Sequence, residues 1–364
     1  MMRRLEICVF DGDGIGPEIM APTIGLLEAL LRKRGLPALS FAHHPAGAGH
    51  YRDYGEALPA ASLAAARGAD AILLSAMGLP EVRYPDGTEI SPQIELRMAL
   101  GLYAGVRPVL LFGQGSPLAG VETLDFVIVR ESTEGLFASH GKGVQDGERA
   151  AHERLTISRD TSEKLFDFAF QLARRRVETG RGRGLVHCVD KANVFQAFAF
   201  FRRIFEERAA LHPDMRADAA YIDATALWLV QKPEIFDVIV TENMFGDILS
   251  DLGAGIMGGL GFAPSADIGE KHAVFQPCHG SAPDIAGRGM ANPIAMILSA
   301  AMMLEWLGER HDETRLVMAG DDLREAVAAV VRERRVATPD MGGKAGTRDV
   351  CDAVAGVLGL ELVA

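Results

Sequence analysis

The chain has 364 residues, 48% of them hydrophobic and 24% charged, and its 37 Lys+Arg against 49 Asp+Glu give a formal net charge of -12. That length fills one large or two medium hydrophobic cores, and so acidic a surface excludes a general binder of phosphate backbones. No apolar run reaches the roughly 20 residues that a bilayer-spanning helix needs.

MMRRLEICVF runs directly into a strand pattern with no cleavage signal, so the protein is expected in the cytoplasm. Cys8, Cys188, Cys278 and Cys351 stand far apart and form no Cys-x-x-Cys, which reads as reduced core thiols and as neither a disulfide frame nor a zinc site. Residues 5–10 have the length of a buried strand, and GDGIGPE at 12–18 follows them into a helical pattern that continues to Leu31. A dinucleotide fingerprint is declined there: Pro17 stands where G-x-G-x-x-G needs its last glycine, and no acidic residue closes a second strand at the right distance. The glycines still permit close backbone approach to a ligand, and Pro17 suits a first helical turn.

A helix over 60–66, a buried strand over 71–75 and an irregular Gly/Pro segment over 77–92 come next. The spacing then predicts a helix over 93–103 carrying Arg97, with Arg107 just past its end, and a strand over 124–129 ending on Arg130. Three arginines at element ends in an acidic protein point to a site for a multiply charged anion, because the guanidinium fork matches carboxylate. Residues 138–153, polar and rich in glycine, read as an exposed arm or hairpin, and RRRVETGRGRG, after a helix through Arg176, as a solvated turn. A strand over 184–189 delivers DKANV to a helix start, and another over 219–222 leads to Asp223 and a helix over 224–231.

DVIVTENMFGDILSD at 237–251 is the centre of the chain: a buried strand, a polar turn, then a helix with Asp247 and Asp251 on one face. Two adjacent carboxylates repel unless a counter-ion holds them, and Mg2+ or Mn2+ takes oxygen ligands and keeps positions open for water or substrate. A strand over 273–277, the loop HGSAPDIAGRG, a long apolar helix over 293–307 and a last helix from Asp349 complete the chain.

Six motifs in collinear order, GDGIGPE (12–18), LRMALGLYAGVRP (96–108), VRESTEG (129–135), DKANV (190–194), TENMFGDILSD (241–251) and HGSAPDIAGRGMANP (279–293), resemble the β-decarboxylating dehydrogenases, which include the isopropylmalate, isocitrate, homoisocitrate, tartrate and D-malate enzymes. The resemblance implies an isopropylmalate-dehydrogenase-like α/β sandwich of two domains, not a standard Rossmann fold. One domain is discontinuous, 1–102 with 258–364, and the other is the 103–257 substrate and dimerisation domain with an arm near 138–160. It implies a homodimer with shared active sites, in which Lys191 and Asp223 reach in from the partner subunit. Asp223, Asp247 and Asp251 hold Mg2+ or Mn2+, Arg97, Arg107 and Arg130 grip the departing carboxylate of a small hydroxydicarboxylate, and Lys191 assists deprotonation of the hydroxyl. His279, Gly280, Ser281, Asp284 and Asn292 line the cofactor pocket, with Asn193 near the nicotinamide end. Asp284 sits where the family contacts the adenosine ribose, and a carboxylate there accepts two hydroxyls and repels a 2'-phosphate, so NAD is expected.

The substrate signals conflict. Val194 and Ile94 favour an apolar side group such as isopropyl, Ser91 and Gln93 a polar one, and MGLPEVRYPDG at 77–87 is closer to the tartrate and D-malate members. One position departs from the family: Phe137 stands where a tyrosine protonates the enolate, and phenylalanine has no proton to give. Impaired decarboxylation, or a catalytically weak binding or regulatory subunit, is the alternative expectation.

Overall fold

The computed structural model describes residues 4–113 and 115–362. Its strands are β1 (Glu6–Phe10), β2 (Ser40–His43), β3 (Ala71–Leu74), β4 (Ala104–Phe112), β5 (Thr123–Glu131), β6 (Val144–Asp146), β7 (Ala150–His152), β8 (Leu185–Asp190), β9 (Arg216–Tyr221), β10 (Val238–Thr241), β11 (Pro264–Ile268) and β12 (Ala273–Pro277). The helices are α1 (Gly16–Lys33), α2 (Ala48–Tyr54), α3 (Ala60–Gly68), α4 (Pro92–Leu100), α5 (Arg159–Glu178), α6 (Gln196–Ala209), α7 (Ile222–Gln231), α8 (Asn243–Ile256), α9 (Ile294–Arg310), α10 (Thr314–Arg332) and α11 (Thr347–Leu358).

Ten strands form one sheet in the order β2-β1-β3-β12-β11-β4-β5-β10-β8-β9. Pairing is parallel at both ends of the sheet and antiparallel only where β11 joins β12, β11 joins β4 and β4 joins β5. The short apolar runs of β1, β3 and β10 are almost wholly buried, as expected of strands covered on both faces. The fold is thus the α/β architecture expected, with helices on a mixed sheet, and no helix among the described residues is long and apolar enough to cross a membrane.

Two expectations shift in register. α4 stops at Leu100 because Gly101 takes the left-handed conformation (φ 62°) that caps it, so Tyr103 lies outside the helix. Arg107 consequently sits inside β4 and not just past a helix end, and Arg130 is the penultimate residue of β5. The basic cluster also differs from a solvated turn. Arg176 is buried and donates to Asp237 at 2.9 Å and Asp125 at 2.8 Å, tying α5 to the loop before β10. The expected arm is a two-stranded hairpin of β6 and β7 with every strand residue exposed. α2, α10, β2 and β11 are elements that the sequence pattern did not separate.

Glu18, in the first turn of α1, ties that helix to the loop before α9 and to the start of α11. Its carboxylate accepts the Gly287 and Ala291 N–H groups at 3.0 Å each and the Thr347 hydroxyl at 2.9 Å. Burial opposes its charge, but bonds from Ala291, Thr347 and Gly287 prevail and hold the carboxyl below the usual glutamate range. A depressed carboxyl stabilises above its unfolded pKa and loses that contribution as pH falls through its folded one. Glu18→Gln is therefore expected to cost about 1–2 kcal/mol at neutral pH, with the gap between variant and wild type closing below about pH 4. Urea melts of both proteins from pH 3 to 7 measure this; a gap independent of pH would remove the carboxylate from the account.

Candidate functional site

β10 ends at Thr241 and the chain turns at once into α8. Glu242 caps the helix, its carboxylate accepting the Phe245 N–H at 3.3 Å. Asn243 follows, and its Oδ1 accepts from Arg130 Nε at 2.9 Å and NH2 at 2.7 Å while its Nδ2 donates to the Glu134 carbonyl at 3.0 Å. One turn later Gly246 lets α8 lie directly on Arg130: a Cβ there would stand 2.6 Å from Arg130 Cβ and Cγ. This close packing sets Arg130 against Asp247, with which it forms an ion pair. Asp251, one turn further, is exposed on the same side of the helix, and desolvation together with the neighbouring Asp247 raises its carboxyl above the usual aspartate range.

Across the cleft stand Arg97, from the last turn of α4, and Arg107, from β4. The three arginines are 7%, 5% and 4% exposed, and all line one cleft of about 260 Å³ with Asp247, Asp251, His279 and Gly280. The expected convergence of the arginines is therefore observed. Burial pushes the Arg130 guanidinium down to about 10; Asp247 works the other way, and Arg97 and Arg107 add to the fall. It remains a cation at neutral pH. Phe137 closes one side, its ring centroid 5.2 Å below the Arg130 guanidinium, so the position expected to hold a tyrosine packs on an arginine instead.

A second wall is built from loops at the carboxyl ends of β1, β3 and β12. Asp13, buried in GDGIGPE, accepts three backbone N–H groups at 2.8 Å, from Ala48, Gly49 and Gly78. The Gly78 carbonyl in turn accepts the Ser281 hydroxyl, and the Ser281 carbonyl accepts the Ile15 N–H at 2.8 Å. The loop after β12 is thus stitched to both neighbouring loops. His279 Nδ1 donates to the Gly280 carbonyl at 3.0 Å, its buried Nε2 has no partner, and burial lowers its pKa so that it stays neutral. Asp284 is exposed on the same loop. Asn292 is buried, with Nδ2 on Asp340 at 3.0 Å and Oδ1 on the Ile294 N–H at 3.0 Å, so its side chain ties the start of α9 to Asp340.

Lys191, Asn193, Val194 and Asp223 do not join this cleft within the chain. They lie after β8 and β9, at the far edge of the sheet, where Lys191 Nζ meets Asp223 Oδ1 at 2.8 Å and Val194 is 59% exposed. Lys191 holds the Asp223 carboxyl below its ordinary range. Ser91 marks the N-cap of α4 without making a capping bond, and it is Gln93 and Ile94 that reach the cleft. Among the described residues no group of three or more His, Cys, Asp or Glu gathers to hold a metal ion. Asp247 and Asp251 offer two carboxylates of the kind a hard divalent cation takes, and a third ligand has to come from elsewhere. The residues that sequence reasoning passed over are Asn243, Asp267 and Gln276. Asp267 lies buried in the apolar run PSADI, and a lone charge inside a strand pattern was its one signal.

Residues 6–354 match the isocitrate/isopropylmalate dehydrogenase family. The 3-isopropylmalate/3-methylmalate dehydrogenase of Methanocaldococcus jannaschii is 41% identical over 355 residues, covering 96% of this chain and 98% of that one. The homoisocitrate dehydrogenase of the same organism is 40% identical over 359 residues, 96% of each chain. Among solved structures, the isocitrate dehydrogenase from Methylococcus capsulatus superposes with a TM-score of 0.85 at 36% identity, over 97% of this chain and 99% of that one. Matches that run nearly end to end in both partners, on a fold that superposes as closely, make the chain a member of the isocitrate/isopropylmalate dehydrogenase family.

Proposed function

We propose that the protein is an NAD-dependent, divalent-cation-requiring dehydrogenase that oxidises and decarboxylates a (2R)-hydroxyacid bearing a 3-carboxylate. 3-Isopropylmalate is the leading candidate, with D-malate and tartrate next. The observation that carries this reading is the single cleft in which three buried arginines face the Asp247–Asp251 pair. The curated relatives named above are dehydrogenases, which gives the alternative of a weak binding subunit no support.

In this reading a bound Mg2+ or Mn2+ supplies Lewis acidity at the 2-oxygen, and bound NAD accepts the hydride. The arginines hold the carboxylate that departs and keep its C–C bond oriented for cleavage. Asp247 and Asp251, with Asp223 as third ligand, are the residues suited to the cation. Lys191 takes the hydroxyl proton, directly or through water.

Lys191 and Asp223 lie away from the arginines within one chain, so the proposal requires a homodimer in which they serve the partner's cleft. Leu227 and Val230 on α7 and Ile248 on the neighbouring α8 are 53%, 49% and 59% exposed, and these apolar side chains suit a subunit interface. The strands of 103–257 occupy one side of the sheet and those of 1–102 and 258–364 the other, which supports a division into two domains that meet at the cleft.

A panel of 2-hydroxydiacids with Mn2+ and either NAD or NADP, with reduced cofactor and carbon dioxide followed separately, tests the reading. One acid is expected to yield both products in step, with NAD preferred. Asp284→Lys is expected to narrow the preference by about tenfold or more, because the repulsion of a 2'-phosphate is gone. A wild type that prefers NADP would show that Asp284 does not face the ribose.

A further inference from the structure

Asp267 is a charged group behind the cleft-lining Arg97 and Arg107 that the proposed chemistry leaves without a role. It lies in β11, 2% exposed, between two of the three arginines. Its Oδ1 accepts from Arg107 NH2 at 2.8 Å, and its Oδ2 from Arg97 NH2 at 3.1 Å and from Gln276 Nε2 at 2.9 Å. Room for it is made by Gly105, its opposite number across the β4–β11 pair: a Cβ at Gly105 would stand 3.1 Å from Asp267 Oδ1 and 2.6 Å from Ser132 Oγ. Burial opposes the charge of Asp267, but Arg107 and Arg97 outweigh it and keep the carboxyl far below the aspartate range.

A guanidinium carries five N–H donors, and the three arginines use theirs unequally. Arg107 gives NH1 to the Ala266 and Val106 carbonyls at 2.9 Å and 3.2 Å and NH2 to Asp267, so its donors are largely consumed inside the protein. Arg130 gives Nε and NH2 to Asn243 and NH1 to Asp247. Arg97 gives only NH2, and its Nε is buried with no partner at all. A buried, unpaired donor on a cation costs free energy until an acceptor arrives.

We infer that Asp267 is a positioning residue that divides the arginines by role: it fixes Arg107 as a post and pins one corner of Arg97, so that the open donors of Arg97 receive the substrate carboxylate. The inference rests on the dehydrogenase reading for the identity of that carboxylate. Asp267 also removes one unit of positive charge from the cleft. Without it two buried arginines lack their shared counter-ion, and any small anion would serve as a replacement, bound tightly and in the wrong place for reaction.

The test uses the full-length enzyme, with succinate and inorganic phosphate as probes titrated by calorimetry, and steady-state kinetics on the best acid of the panel. Asp267→Asn keeps the shape and removes the charge. It is expected to bind both probes about tenfold more tightly, to leave KM level or lower, and to reduce kcat at least about tenfold. A purely structural residue moves these quantities differently, since its loss weakens anion binding and raises KM together with the fall in kcat. That parallel loss, or an unchanged kcat with unchanged probe affinity, overturns the inference. Should Asp267→Asn fail to fold, Arg97→Lys and Arg107→Lys carry the test: succinate binding is expected to weaken more in the first, and equal or reversed weakening overturns the assignment. A wild type that binds succinate yet turns over no acid in the panel removes the dehydrogenase reading alone, and the probe titrations still decide the role of Asp267.

Discussion

Asp251→Asn is expected to lower turnover at saturating Mn2+ by at least about 100-fold, and Asp247→Asn to do the same, while the Asp251→Asn protein melts within about 2 °C of the wild type. The reason for the large effect is the distribution of charge. Asp251 is a partly desolvated carboxylate whose nearest acid is Asp247, one turn away, and removing either leaves a hard cation with too few oxygens on α8. The stability effect of Asp251→Asn is small because that carboxylate is exposed. The two substitutions are not equivalent. Asp247 also pairs with Arg130, so its amide frees a buried guanidinium as well as a cation ligand, whereas Asp251→Asn isolates the cation. Calorimetric Mn2+ titration separates the cases, with Asp251→Asn expected to lose the binding isotherm. Full turnover in excess chelator would sink the cation site altogether.

The second large effect concerns subunit sharing. Lys191→Ala and Arg130→Ala are each expected to be nearly inactive, and an equimolar mixture, once its subunits have exchanged, to regain about a quarter of wild-type activity. The fraction follows from geometry. Random exchange makes half the dimers hybrid, and in a hybrid both substitutions fall in one of the two sites, which leaves the other intact. The expectation stands on the position of Lys191 after β8, where it is bonded to Asp223 and does not line the arginine cleft of its own chain. Subunit exchange is checked by mass spectrometry of differently labelled chains. A mixture that has exchanged and stays inactive means that Lys191 serves the cleft of its own chain or no cleft.

The parts of the fold that could be read from the sequence are those whose physics is local. Ala-Ile-Leu-Leu and Val-Ile-Val announce β3 and β10 because strands buried on both faces carry unbroken apolar runs. Gly101 was visible but not decisive: Leu102 and Tyr103 continue the apolar pattern past it, and only the left-handed backbone at Gly101 ends the helix. β11 was hidden by Asp267, since a charge within five residues reads as a loop until its two arginine partners are known to lie beside it, and those come from 160 and 170 positions away. At the site, Arg97, Arg107, Arg130, Asp247 and Asp251 are brought together as the sequence led one to expect. That Asn292 faces Asp340, and that Arg176 is buried, depended on long-range partners that periodicity does not report.

The strand order also bears on how the chain comes together during synthesis. β3 and β4 are close in sequence, but β12 and β11 stand between them in the sheet, and both are made after residue 263. A nascent chain of that length holds two separate sheets, β2-β1-β3 and β4-β5-β10-β8-β9, each with a bare strand edge awaiting the same hairpin. Every strand of both partial sheets has at least one partner made nearby in sequence, and only the outer edges of β3 and β4 wait, the first of them for a strand that arrives some 190 residues later. The wait leaves the outer edges of β3 and β4 as the two strand edges most open to wrong pairing. The antiparallel hairpin of β11 and β12 is the last piece of the sheet to be made and the one that closes both edges at once.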